Sequence, residues 1–141
     1  MSEEEEDYEG EDGKQCKVVL LGESGVGKTS IISRFIDDVF EEELETTTAA
    51  SYAGKNMVFK DYQNQVVNFE IWDTAGQEKY RALTQIFYKD ASIAILVYDI
   101  TNEESFEEIK NYWYDQVKES APRDIGMFIY YFIFLYLLFF K

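Results

Sequence analysis

Apolar positions along this chain recur with two periods. Lys17-Val-Val-Leu-Leu21 and the stretch 92–98 are near-continuous apolar runs, as strands buried on both faces of a parallel sheet require. Val66-Val-Asn-Phe-Glu-Ile-Trp72 alternates apolar and polar positions, which predicts a strand. Residues 61–65 just before it have turn chemistry, and Asn64 tolerates the left-handed region. Strands over 52–60 and 65–72 therefore read as an antiparallel hairpin. Ser30-Ile-Ile-Ser-Arg-Phe-Ile36 predicts a helix over 28–37, following a first strand over 15–21. A loop fills 38–51, and a loop with a short helix fills 74–89. Thr101-Asn-Glu-Glu-Ser105 signals a helix start. Phe106, Ile109, Trp113 and Val117 then form an apolar stripe that ends before Pro122. Strands alternating with helices argue for a doubly wound α/β fold around a mostly parallel sheet.

The junction between the first strand and the first helix carries chemistry. Gly22-Glu-Ser-Gly-Val-Gly-Lys-Thr29 has the spacing G-x-x-x-x-G-K-[ST] of a phosphate-binding loop. Its glycines, Gly22, Gly25 and Gly27, let the backbone wrap closely around a phosphate. The N–H groups of Gly22, Glu23, Ser24, Gly25, Val26 and Gly27 can then point inward as an anion nest. Ser30 lies in the first turn of the helix, whose N-terminus adds its dipole. Lys28 can reach the β- and γ-phosphates, and Thr29 can offer its hydroxyl to Mg²⁺. The bland alternative is a Gly-rich turn joining strand to helix.

A second motif points the same way. The strand at 66–72 runs into Asp73-Thr-Ala-Gly76-Gln77-Glu78. An acid at the carboxyl end of a strand sits where open α/β sheets bind ligands. There Asp73 can help hold Mg²⁺. Gly76 lets a backbone N–H approach a γ-phosphate, and Gln77 can orient an attacking water.

The string at 22–29, Trp72-Asp-Thr-Ala-Gly-Gln-Glu78 with Lys79-Tyr80-Arg81 after it, and Ala94-Ile-Leu-Val-Tyr-Asp-Ile-Thr101 resemble the Ras superfamily of small GTPases, and most closely its Rab branch. The match runs from about Cys16 to about Ile125. The resemblance implies a P-loop NTPase fold and a GTP-binding, GTP-hydrolysing switch in vesicle-mediated transport, with GTP or GDP as ligand and Mg²⁺ as cofactor. It places switch I in Glu41-Glu-Glu-Leu-Glu-Thr-Thr-Thr48, where one threonine reaches Mg²⁺ and the γ-phosphate. Thr46, Thr47 and Thr48 all qualify chemically, and the ungapped run from Thr29 favours Thr47. A β-prone loop edge is the alternative role for this triplet. Ala49 stands where the family usually has Gly. Phe40 would lean on the guanine base. Tyr52, Trp72 and Phe87 would form the aromatic triad that reports the nucleotide state to effectors. Packing of hairpin against switch helix is the competing role for them, and the two are compatible. The partners implied are GTPase-activating proteins, exchange proteins and effectors. No arginine reads as a finger supplied in cis, so acceleration would come from a partner.

Charge and cysteine usage narrow the context. At 141 residues this is one domain at most, with 28 acids, 13 bases and a formal charge of −15. That balance argues against a nucleic-acid partner. Eight of the acids fall within residues 1–12, which contain no base, so 1–13 reads as an acidic, solvated tail ahead of a GTPase domain at 14–125. No apolar run follows Met1 to suggest a secretory signal. Cys16, the sole cysteine, reads as a small core or edge residue in a reducing cytosol. A prenylatable C-terminal cysteine is not present, so no lipid anchor is expected in this chain. The expected location is cytoplasmic, with the endomembrane association that the family implies.

The resemblance breaks after Ile125. A small GTPase continues with a fifth strand ending in N-K-x-D, whose aspartate pairs with guanine N1 and N2, and later an S-A-K loop. Neither string occurs. Residues 126–141 instead form an apolar, aromatic run with no family pattern, and the fold is expected to be incomplete on its C-terminal side. Three readings compete for this run: a tail anchor, a rebuilt fifth strand, and translated intron. The 14 residues from Met127 to Phe140 would span about 21 Å as a helix, short of a ~30 Å hydrocarbon core. Membrane contact is therefore disfavoured. The favoured reading is unspliced intron, since the whole run can be written in A/T-rich codons. It leaves the strand near 93–98 as a sheet edge. The alternative function is then a non-catalytic product that keeps the phosphate loop and switch surface with little nucleotide affinity.

Overall fold

The computed structural model describes residues 13–40 and 45–132. The acidic run at 1–12, residues 41–44 of the expected switch loop, and 133–141 lie outside the described residues. The elements are β1 (Lys14–Leu21), α1 (Lys28–Asp37), β2 (Ser51–Phe59), β3 (Gln65–Asp73), α2 (Arg81–Tyr88), β4 (Ile93–Asp99), α3 (Glu103–Glu108), α4 (Tyr114–Ser120) and β5 (Gly126–Phe132). Strand order across the sheet is β2-β3-β1-β4-β5. The β2–β3 pair is antiparallel, and the other three pairings are parallel. This is the expected doubly wound, mostly parallel α/β sheet of a P-loop NTPase.

Parallel strands alternate their side chains between two covered faces. Val19, Leu21, Ala94 and Leu96 point to one face and pack with Tyr88, Ile109, Trp113 and Val117. Val18, Leu20, Ile71 and Val97 point to the other and pack with Ile32 of α1. In the hairpin, both Gln63 (φ 58°) and Asn64 (φ 55°) take the left-handed region, so the turn uses Gln63 as well as the expected Asn64.

The long helix departs from its predicted stripe. Ser105, Ile109, Trp113 and Val117 are all at most 1% exposed, whereas Phe106 is 36% exposed. Their spacing of four drifts about 40° per step on a helix of 3.6 residues per turn. A π-helical turn over Ile109–Trp113 separates α3 from α4 and absorbs that drift, keeping the row on the sheet. Ser105 heads the row as a capping partner: its hydroxyl donates to Asn102 O at 2.7 Å and accepts from the Asp99 N–H at 3.0 Å.

The expectation that the strand at 93–98 forms a sheet edge is overturned. β5 pairs with β4 in parallel register, Ala94 opposite Met127 and Leu96 opposite Ile129. An aromatic and β-branched segment meets an open row of backbone donors and acceptors, and pairing satisfies both. Met127 and Ile125 also pack against the core that holds Trp113 and Val117. The strand reading therefore applies to 126–132.

Candidate functional site

The loop between β1 and α1 gets its shape from its glycines. Gly22 (φ 146°), Gly25 (φ 79°) and Gly27 (φ 98°) all take backbone conformations that side chains resist. A Cβ on Gly22 would lie 2.2 Å from the Val97 carbonyl oxygen, so the loop is seated directly on β4. Gly27 is the N-cap of α1, and Lys28 opens the helix with Thr29 and Ser30 in its first turn. Val26 is buried in the core and anchors the loop from below, while Ser24 and Gly25 are exposed.

Lys28 is 5% exposed. Its ammonium donates to Gly22 O at 2.9 Å and Glu23 O at 2.7 Å, so it spans the loop from the inside. Burial pushes its pKa down to about 8, with Asp73 and Glu23 pulling it back up. A cation held this way is poised for an anion entering the loop.

Beside it, three elements converge. The Thr29 hydroxyl of α1 donates to Asp73 Oδ2 at the end of β3, at 2.5 Å. It also lies 2.9 Å from the Thr47 hydroxyl. Of the threonine triplet, Thr46 and Thr48 are exposed and Thr47 alone faces this cluster. Asp73 is 2% exposed, and its Oδ1 has no hydrogen-bond partner among the described residues. Burial raises its pKa, opposed by the Thr29 hydrogen bond and the Lys28 charge. Two hydroxyls and one carboxylate with an orphaned oxygen fit Mg²⁺, which keeps several waters and takes few protein ligands. Among the described residues, no group of three or more His, Cys, Asp or Glu side chains offers a competing metal site.

After β3, Thr74 is fully buried and its hydroxyl donates to Leu20 O at 2.6 Å, stitching the loop to β1. Gly76 sits against the phosphate loop: a Cβ there would lie 2.4 Å from Glu23 C and Ser24 N. Gln77 follows, half-buried, and its carbonyl accepts the Tyr80 N–H at 2.9 Å. Phe40 is half-buried against the core cluster that includes Val26 and Val97.

Trp72 lies between two rings, 5.5 Å from Tyr52 and 5.2 Å from Phe87 by centroid. Tyr52 is 57% exposed, and Leu83 and Ile86, which share α2 with Phe87, are exposed as well. The three predicted triad residues are thus in contact at the protein surface.

One constellation was not predicted. The Arg81 guanidinium lies 2.6 Å from Glu23 Oε1 and 2.7 Å from Glu108 Oε2. It stacks over the Tyr112 ring at 4.3 Å, and Trp113 Nε1 donates to the same Glu23 oxygen at 3.3 Å. Burial works against the charge on Arg81, but the two carboxylates outweigh it and raise the pKa. These residues come from three distant stretches, and no local spacing links them. The only sequence signal is an acid at a position that the loop motif leaves free.

A family model described as Ras family matches residues 17–130. The chain is 45% identical over 112 residues to Ras-related protein Rab-22A of Homo sapiens, covering 79% of this chain and 56% of that protein. It is 42% identical over 115 residues to the GTP-binding protein YPT52 of Saccharomyces cerevisiae, covering 78% and 49%. It is 40% identical over 116 residues to Ras-related protein Rab-31 of Rattus norvegicus, covering 82% and 57%. The chain spans about half the length of the curated relatives it matches.

Proposed function

This chain belongs to the Ras family, on its Rab branch, and from that premise we propose that it binds GTP and GDP and hydrolyses GTP slowly, as a switch in vesicle traffic. The observation that carries this reading is the convergence of Thr29, Thr47 and Asp73 beside the ammonium of Lys28. Lys28 and the N–H groups of residues 22–27, with Thr29 and Ser30 at the helix N-terminus, hold the phosphates. Thr29, Thr47 and Asp73 would hold Mg²⁺, which when bound neutralises charge on the phosphate oxygens. The Gly76 N–H faces the terminal phosphate, and Gln77 aligns the attacking water. Phosphoryl transfer of this kind is mainly positioning and charge stabilisation, so these few groups suffice for slow turnover. Phe40 stacks on the base. Faster turnover and nucleotide release need GTPase-activating and exchange proteins, and effectors read the surface made by Tyr52, Trp72 and Phe87.

The test is binding of a fluorescent GDP analogue by the full chain, with Mg²⁺ and with a chelator, followed by single-turnover GTP hydrolysis. Saturable, Mg²⁺-strengthened binding and slow phosphate release support the reading. Binding indifferent to Mg²⁺, or no phosphate release above solution hydrolysis, contradicts it.

A further inference from the structure

We propose that Arg81 is a positioning residue for the reaction assigned above: it clips the segment that carries Gln77 onto the phosphate loop through Glu23. The chemistry rests on that assignment, and the mechanics rest on the geometry of 76–81. At one end of this segment, Gly76 is packed on the backbone of Glu23 and Ser24, with no space for even a methyl group. At the other end, Arg81 holds the side chain of the same Glu23 at 2.6 Å. Gln77 lies between two attachments to one loop residue, and the Tyr80 N–H bond to its carbonyl shortens the span further.

An exposed ion pair would be too weak and too mobile for this role. The clip is neither. The side chains of Arg81, Glu23 and Glu108 are 20%, 24% and 32% exposed. The guanidinium is fixed in three directions, by Glu23, by Glu108 of α3, and by the Tyr112 and Trp113 rings at 4.3 and 5.7 Å. Glu23 is fixed in turn by the Trp113 indole N–H at 3.3 Å. One terminal nitrogen, Nη2, meets both carboxylates while the planar group stacks on the Tyr112 ring, and lysine cannot reproduce that stacking. The helix α3 and the π turn therefore brace the Gln77 segment through a single side chain. A side chain that orients water depends on sub-ångström placement, so loss of the brace is felt in rate before affinity.

The experiment uses the full chain with Arg81→Ala, Arg81→Lys, Gln77→Leu and the Arg81→Ala/Gln77→Leu double variant. Two readouts are taken: single-turnover GTP hydrolysis, and deuterium uptake over 77–88 in nucleotide-free protein. Arg81→Ala is expected to slow hydrolysis about 10- to 100-fold with GTP affinity little changed. Arg81→Lys recovers part of the rate. The double variant is no slower than Gln77→Leu alone, because Arg81 acts only through Gln77. Uptake over 77–88 rises in Arg81→Ala. Losses that multiply in the double variant, or a full rate in Arg81→Ala, overturn the positioning role. Unchanged uptake in Arg81→Ala overturns the clip itself, whatever the rates. Equal hydrolysis by wild type and Gln77→Leu instead refutes the water-orienting role of Gln77, and the uptake measurement still decides whether Arg81 clips the segment.

Discussion

The Thr29 hydroxyl donates to Asp73 Oδ2 at 2.5 Å, joining the first turn of α1 to the last residue of β3. It holds only one of the two carboxylate oxygens. The other, Oδ1, is buried and has no partner among the described residues. An unsatisfied buried acceptor destabilises a fold by about 1–3 kcal/mol, more when charged. On the proposed reading, Asp73 works against stability in the protein alone and for affinity once a cation arrives.

Asp73→Asn is accordingly expected to have opposite effects on fold and function. The amide keeps the shape and can still accept from Thr29, while the buried charge is gone. In Mg²⁺-free buffer the thermal midpoint rises by ~4 °C for each kcal/mol relieved. Mg²⁺ no longer strengthens nucleotide retention. Calorimetry in chelator and nucleotide release at several Mg²⁺ concentrations check the two halves. A lower midpoint together with intact Mg²⁺ dependence would remove Asp73 from the cation site.

Lys28→Ala should abolish Mg²⁺-dependent nucleotide binding. The ammonium is the sole basic side chain in the loop at 22–29, and it already sits inside, against Gly22 O and Glu23 O. A charge-assisted hydrogen bond contributes about 1.5–3 kcal/mol, and two lost from one phosphate group reduce affinity by at least ~100-fold. Retention of labelled GTP on a filter reads this directly. Equal retention by variant and wild type would show that the loop is only a strand-to-helix turn.

What could be read from the sequence follows from how local each signal is. The helix over 28–37 was legible because the run Ser30–Ile36 has helical character directly after the loop motif, and the structure brackets it with Gly27 and Asp38, both in the left-handed region. The strands buried on both faces announced themselves as apolar runs. The stripe on the long helix was misread at its first position: Phe106 is the more apolar residue, but the π turn brings Ser105 into the row. β5 was disfavoured because A/T-rich codons pointed to intron, which concerns the origin of the run and not its conformation; only the free edge of β4 decides that. Within the site, contiguous motifs identified Lys28, Thr29, Asp73 and Gln77 as candidates. The Arg81, Glu23, Glu108 and Trp113 cluster was invisible, since its members lie up to 90 residues apart and meet only through packing.

Gly76→Ala and Gly25→Ala separate lack of space from backbone strain. At Gly76 the added Cβ would lie 2.4 Å from two backbone atoms of the phosphate loop, so one chain segment must move. At Gly25 the Cβ meets nothing within 4 Å, but its φ of +79° strains an L side chain by about 1–2 kcal/mol. Gly76→Ala is expected to slow hydrolysis on the order of 100-fold, through displacement of Gln77. Gly25→Ala mainly lowers the thermal midpoint. Single-turnover kinetics and melting curves on both variants check this. The assignment fails if Gly76→Ala turns over GTP at the wild-type rate.

The last prediction concerns the base. β5 runs parallel to β4 and ends at Phe132, opposite Asp99. By family resemblance, the polar string that reads guanine follows this strand. Here the residues after it are Ile133-Phe-Leu-Tyr-Leu-Leu-Phe-Phe140, with no carboxylate or amide to pair with guanine N1 and N2. Stacking on an aromatic such as Phe40 accepts any purine. The phosphate contacts of Lys28 and the loop do not distinguish GTP from ATP either. A site that hydrogen-bonds its substrate can reject a mismatched one by ~10⁴-fold or more, whereas shape alone gives ~10²-fold or less. Residues 1–141 are therefore expected to hold GTP and ATP with affinities that differ by about tenfold or less. Competition of each nucleotide against a fluorescent GDP analogue gives the ratio. A preference for GTP of a thousandfold would mean that a polar group elsewhere in the chain reads the base, and the search for it would begin around Phe40 and the end of β5.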